Sequence, residues 1–198
     1  NSIREYIRNF IMSKLETNTI DNISGSSTLT IGDSNTSTIA LKSGATLTNF
    51  PTNTPYFYGE LASNQTTTRA TYVKITGMTN NELDSATAFD GTTFTVPSGE
   101  GGKYYLEGVM TASYGSVGYD GEQTIGSLYK NGSLLKQGLF RTNASYSYTR
   151  AVTTIASGIF DLSVGDTIEL YAWIQDASGD DGLASASKTS LMGYKIIE

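Results

Sequence analysis

The residues best suited to chemistry are carboxylates in two glycine-containing stretches: Asp120 and Glu122 in "YDGE", and Asp176, Asp180 and Asp181 in "DASGDDG". Paired carboxylates hydrolyse glycosidic bonds, and clustered carboxylate and carbonyl oxygens hold Ca²⁺. A glycosidase acid needs an apolar pocket to raise its pKa, and turns made of Gly, Ser and Asp offer none. The spacing is not that of an EF-hand loop. Asp176, Asp180 and Asp181 therefore stand as weak calcium candidates beside the plainer alternative of solvated acidic turns, and no other metal or cofactor is expected. The sequence contains no His and no Cys. That removes the commonest general base, the thiolate nucleophile, the thiolate metal site and the disulfide. The chain is expected not to be an enzyme.

The elements that would position such residues are strands. In 198 residues there are 21 Gly, 13 Tyr and 7 Phe but only 3 Pro, with abundant Ser and Thr, a composition of strands and turns. The net charge of −6 repels a phosphate backbone, so no nucleic-acid partner is expected. No run approaches the ~18 apolar residues of a membrane span, so no membrane insertion is expected. The first residues lack a signal-peptide core. The chain begins at Asn1 rather than at Met, as expected of a processed product or a fragment.

Three segments follow one another. In residues 1–17, Ile3, Tyr6, Ile7, Phe10, Ile11 and Leu15 recur at helical spacing with Arg4, Glu5, Arg8 and Lys14 on the other face, which predicts a short α-helix. A helix of this length is marginal alone. Its apolar stripe either packs on its own domain or serves as an anchor or a nucleus for copies of itself. Residues 18–55 carry short alternating triplets, such as Leu29 with Ile31 and Ile39 with Leu41, separated by Gly, Asn, Asp and Ser. They read either as a flexible linker or as a thin β-rich shaft stabilised by several chains sharing one core.

Residues 56–198 are dense in strand signals with no helical interruption. Asn131-Gly132 is a two-residue type I′ hairpin signature joining "QTIGSLYK" to "SLLKQGLF". An antiparallel β-sandwich is predicted. The ordered set "FTVPSGEGGKYYLEGVM", "LYKNGSLL", "FDLSVGDTIELYAW" and "TSLMGYKII" resembles the globular head of the complement C1q and tumour-necrosis-factor superfamily, and in particular the C1q-like heads of bacteriophage fibre proteins of the marine or cyanophage type. The turn "TVPSGEGG" is longer and richer in Gly than the family's usual turn. The resemblance implies a jelly roll of about ten strands that trimerises about a threefold axis, with residues 18–55 as a shaft of the kind that precedes such heads.

Independent of the resemblance, two strands look apolar on both faces. Tyr105 and Val109 oppose Tyr104, Leu106 and Met110, while Leu191 and Ile197 oppose Met192, Tyr194 and Ile196. One face of each should meet a neighbouring subunit; Tyr105, Val109, Leu191 and Ile197 are the interface candidates. Strand parity counted with the strand order that the resemblance implies places residues 97–102, 131–132 and 163–165 at the end where the first strand begins. It places residues 79–91, 114–122, 141–148 and 176–187 at the opposite end. These latter loops have the Tyr, Asn, Asp and Gly content of adaptable recognition surfaces, and Tyr114, Tyr119, Asp120, Asn143, Tyr146, Tyr148, Asp176 and Asp180 are the ligand candidates.

The function expected from these features is a homotrimeric viral or phage fibre, of tail or head. It would attach to other virion proteins through residues 1–17 and bind a host cell-surface glycan or protein with its head. It would be exposed on the virion and extracellular when acting. The alternative is a purely structural virion component, such as a needle tip, decoration or assembly clamp.

Overall fold

The computed structural model describes residues 53–114, 121–141, 151–176, 179 and 181–197, together with Ser43. The expected helix over 1–17 and almost all of the expected shaft over 18–55 lie outside the described residues. Within them every regular element is a strand.

The strands form two sheets. In the first are β1 (Tyr56–Leu61), β2 (Gln65–Thr67), β4 (Met78–Asp84), β6 (Gly102–Ser113), β9 (Ala151–Leu162), β11 (Gly182–Ala184) and β12 (Ser190–Lys195). β6 is its centre: it pairs with β9 on one side, and with β12 and β11 on the other. β12 then pairs with β1, and β1 with β4. The second sheet holds β3 (Val73–Lys74), β5 (Thr93–Thr95), β7 (Gly121–Lys130), β8 (Ser133–Arg141) and β10 (Thr167–Asp176), in the order β3-β10-β7-β8, with β5 also on β10. All pairings are antiparallel.

Period-two alternation drives this architecture. Along β10, Ile168, Leu170, Ala172 and Ile174 are buried while Glu169, Tyr171, Trp173 and Gln175 are turned outward. Along β6, Tyr104, Leu106 and Met110 face the core. Between the sheets, Phe57 stacks on Phe94 at 4.2 Å and on Phe89 at 5.3 Å. Asp84 holds Phe89 there by accepting hydrogen bonds from the backbone N–H groups of Ala86, Ala88 and Phe89. Tyr104, fully buried, donates its hydroxyl to the Glu100 carbonyl at 2.6 Å, and burial together with nearby Glu100 pushes its pKa up to about 12.

The expected hairpin is present. Asn131 and Gly132 have φ of 51° and 74°, the left-handed pair that a type I′ turn needs. The turn is tied down from outside, since Asn131 Nδ2 donates to Asp166 Oδ1 at 2.7 Å and Asn131 Oδ1 accepts from Thr167 N–H at 2.8 Å. Asp166 also takes Lys130 Nζ at 2.6 Å and the Ser163 N–H at 2.8 Å. Turns 97–102, 131–132 and 163–165 thus share one end, where β1 begins, as parity predicts: Gly165 N–H donates to the Val96 carbonyl, and Lys195 pairs with Glu100.

One prediction arises at this knot. Lys130 above all, then Asn131 and the Ser163 N–H, lower the Asp166 pKa to about 2, in a side chain only 12% exposed. A folded-state pKa below the unfolded one gives stability that is complete above pH about 4 and is lost as pH falls toward 2. Its size is on the order of 2 kcal/mol. Asp166→Asn should therefore destabilise the domain at pH 7 and flatten the acid limb of its denaturation midpoint plotted against pH.

Residues 79–91 do not lie at the opposite end. Residues 78–84 form β4 alongside β1, with Leu61 opposite Met78 and Phe57 opposite Asp84, so the connection after it returns to the beginning of β1. There Ser85 N–H donates to the Tyr56 carbonyl at 3.1 Å. β4 runs antiparallel to β1, so the chain reverses once between them by way of the short strands β2 and β3, and the parity count omits that reversal.

Candidate functional site

Two surfaces emerge: the end opposite the Asn131-Gly132 turn, and the outer face of the first sheet. At the first, strand termini converge. Ser113 pairs with both Ala151 and Leu183, Gly121 with Asp176, and Gln123 with Arg141. The connections over 115–120, 142–150 and 177–180 therefore all leave the sandwich at this one end. Tyr119, Asp120, Asn143, Tyr146, Tyr148 and Asp180 lie outside the described residues.

The base from which these connections rise is well defined. Arg69, which sequence reasoning passed over, donates Nε to the Asp176 carbonyl at 2.8 Å, and its backbone N–H goes to Asp181 Oδ1 at 3.1 Å. Ser113 and Ser185 hydroxyls meet at 2.7 Å, and Gln175 Nε2 donates to Glu122 Oε2 at 2.7 Å.

Two ligand candidates are placed differently from expectation. Tyr114 is 5% exposed, its ring in the core and its hydroxyl bonded to Thr124 Oγ1, with its pKa raised by burial first. Asp176 is likewise 5% exposed, because it occupies the last inward position of β10's alternation. Both close the end of the core and neither offers its side chain to an external ligand. Asp181 remains exposed. With Asp176 turned inward and Asp181 engaged by Arg69, no group of three metal-ligating side chains forms among the described residues.

The second surface is built by register. Across the outer face of the first sheet, one row runs Ile159, Tyr105, Tyr194, Tyr56; the next Ser157, Glu107, Met192, Tyr58; the next Ile155, Val109, Ser190, Glu60. Ile155 and Ile159 are 55% and 62% exposed. Tyr105 and Tyr194 rings meet at 5.4 Å, and the Tyr105 hydroxyl donates to Glu107 Oε2 at 2.7 Å. That bond raises the Tyr105 pKa, with burial adding to it. Tyr105 and Val109 are half-buried on this face, and Ile197 is exposed just beyond β12.

Leu191 is the exception among the interface candidates, since it is fully buried in the core. On β12 the outward residues are Met192 and Tyr194, fixed by the pairing of Tyr194 with Tyr105. Ile155 and Ile159 were missed by sequence reasoning, although their signal is present: in "AVTTIASGIF" the buried Val152, Thr154 and Ala156 leave Ile155 on the opposite face.

The architecture matches solved structures. The globular domain of zebrafish complement 1qA superposes with a TM-score of 0.51 at 12% identity, over 73% of this chain and 98% of that one. Eiger TNF from S. frugiperda gives 0.52 at 10%, over 72% and 91%. Murine APRIL gives 0.50 at 12%, over 71% and 98%. The head has a C1q/TNF-like jelly-roll fold. At such identities the likeness concerns the fold alone. In this C1q/TNF-like head the outer face of the first sheet, carried by β1, β12, β6 and β9, presents Ile155 and Ile159 beside Tyr105, Val109, Met192 and Tyr194. No family model matches the sequence, and no curated protein matches it.

Proposed function

We propose that the chain is a homotrimeric viral or phage fibre protein whose C1q/TNF-like head associates through the outer face of the first sheet. The opposite-end connections would bind a host-surface ligand, a glycan in the first place. The observation that carries this reading is that outer face. A sheet whose second side faces water should read polar there, yet here Ile155, Ile159, Val109, Tyr105, Met192 and Tyr194 share it. Covering this patch with two further copies removes it from water at about 25 cal/mol per Å² of apolar area.

The remaining parts of the reading come from order along the chain. Residues 1–17 would hold the chain to other virion proteins, residues 18–55 would form the shaft, and the head would project from the particle. The reading assigns binding and no catalysis, and it requires no cofactor. A purely structural role would keep the same association face and leave the opposite-end connections without a ligand.

Association is tested by the mass in solution. Light scattering at micromolar concentration should give three times the 21.2 kDa of the chain. A monomeric mass with cooperative unfolding would overturn the assignment of the face.

A further inference from the structure

A separate feature lies on the outer face of the second sheet, away from both surfaces above. Tyr72, Trp173, Tyr129 and Tyr171 form one connected aromatic cluster. Tyr72 meets Trp173 at 4.9 Å and Tyr129 at 6.1 Å, and Tyr129 meets Tyr171 at 4.2 Å. Tyr72 precedes β3 at one edge of this sheet, yet its hydroxyl donates to Gln137 on β8 at 3.4 Å. Its ring therefore lies across β10 and β7. Burial raises the pKa of Tyr129 and of Tyr171.

Beneath these rings are polar groups with nothing to bond. Ser127, outward on β7 opposite Tyr171, is fully buried, and among the described residues its hydroxyl has no partner; nor has the buried indole Nε1 of Trp173. Natural proteins leave few buried polar groups unpaired, and those they leave call for a water, an ion or a functional role. The bond that holds Tyr72 in place is long, and long hydrogen bonds are weak.

We propose that this face is a carbohydrate-binding platform with Tyr72 as its movable cover. A pyranose ring presents a C–H face that stacks on aromatic rings and a rim of hydroxyls that needs donors and acceptors. The cluster supplies the first, and Trp173 Nε1, Ser127 Oγ and the exposed Gln137 amide supply the second once Tyr72 turns aside. Charge selects the class of sugar. Lys74 is committed to Glu169 at 2.6 Å, and the chain carries a net charge of −6, which favours a neutral saccharide over an anionic one.

Trp173 is the only tryptophan, so its fluorescence reads this site alone. The probes are soluble neutral hexasaccharides of β-1,4-glucose, β-1,4-xylose and α-1,6-mannose, at millimolar concentration. At least one should shift Trp173 emission saturably. Tyr72→Ala, which removes the cover, should strengthen that binding, and Tyr171→Ala should weaken it about tenfold or more. Gln137→Ala, an exposed substitution that leaves the fold alone, should weaken it less. Replacing residues 115–120, 142–150 and 177–180 should leave the Trp173 response intact, which separates this site from the ligand end proposed above. Emission unmoved by all three probes would overturn the proposal, as would affinities unchanged in both tyrosine variants. Emission that changes with protein concentration alone, and ceases to do so in Tyr72→Ala, would assign the cluster to a contact between chains and overturn it as well.

Discussion

The double variant Ile155→Glu, Ile159→Glu should be a folded monomer at micromolar concentration. Both side chains are more than half exposed on the isolated head, so the substitutions remove little from the core, and the monomer should still unfold cooperatively, at a midpoint lowered by the lost association. In the proposed trimer the same positions are covered. Each Glu would then lose solvation next to Val109 and Tyr105, its cross-strand neighbours, at a cost of several kcal/mol per buried carboxylate without a partner. The contribution of the isoleucines, about 1.5–3 kcal/mol for full burial of each, is lost as well. Association should weaken by ~1000-fold or more, which sedimentation would show as a change from three chains to one. A trimer that survives both substitutions would place the interface elsewhere.

The second large effect concerns adsorption. Replacing residues 115–120, 142–150 and 177–180 by short Gly-Ser connections, while keeping Tyr114 and Asp176 because they close the core, should leave a trimer that loses most of its retention on cells. Single changes should do less. Tyr119→Ala or Tyr146→Ala should cost about 1–2 kcal/mol if the ring is a contact, and threefold repetition multiplies that into a large loss of avidity. Wild-type and replaced heads would be compared for retention on host cells after each is shown to be trimeric. Full retention by the replaced head would take adsorption away from these connections and overturn their assignment as the ligand end.

Much of the sandwich was legible because its strands obey strict alternation and its turns carry their own chemistry. Asn131-Gly132 announces a left-handed pair of residues, and the structure has it. The meeting of turns 97–102, 131–132 and 163–165 at one end followed from strand reversal counted along the strand order of the C1q/TNF-like fold. Where sequence reasoning failed, local pattern was ambiguous. "SLMGYK" is apolar on both faces, so only the pairing of Tyr194 with Tyr105 shows that Leu191 points inward. Residues 79–91 were sent to the wrong end because β2 and β3, of three and two residues, are too short to show the single reversal between β1 and β4. Tyr114 and Asp176 look like loop residues by type, yet each takes an inward position at the end of its strand, and polarity alone carries no sign of that.

The orientation of the first sheet in the assembly is the centre of the account, and the absence of cysteine from the chain allows it to be read directly. Ser157 lies in the middle of the apolar face, opposite Glu107, while Lys136 is exposed on β8 of the other sheet. Ser157→Cys and Lys136→Cys would each introduce a single thiol, and the rate of maleimide labelling would be measured for both in the native and the denatured protein. The account predicts that the thiol at position 157 is strongly protected in the native assembly and reacts freely after denaturation, while the one at 136 reacts freely in both. Equal native rates at the two positions would show the first sheet open to water and would contradict it.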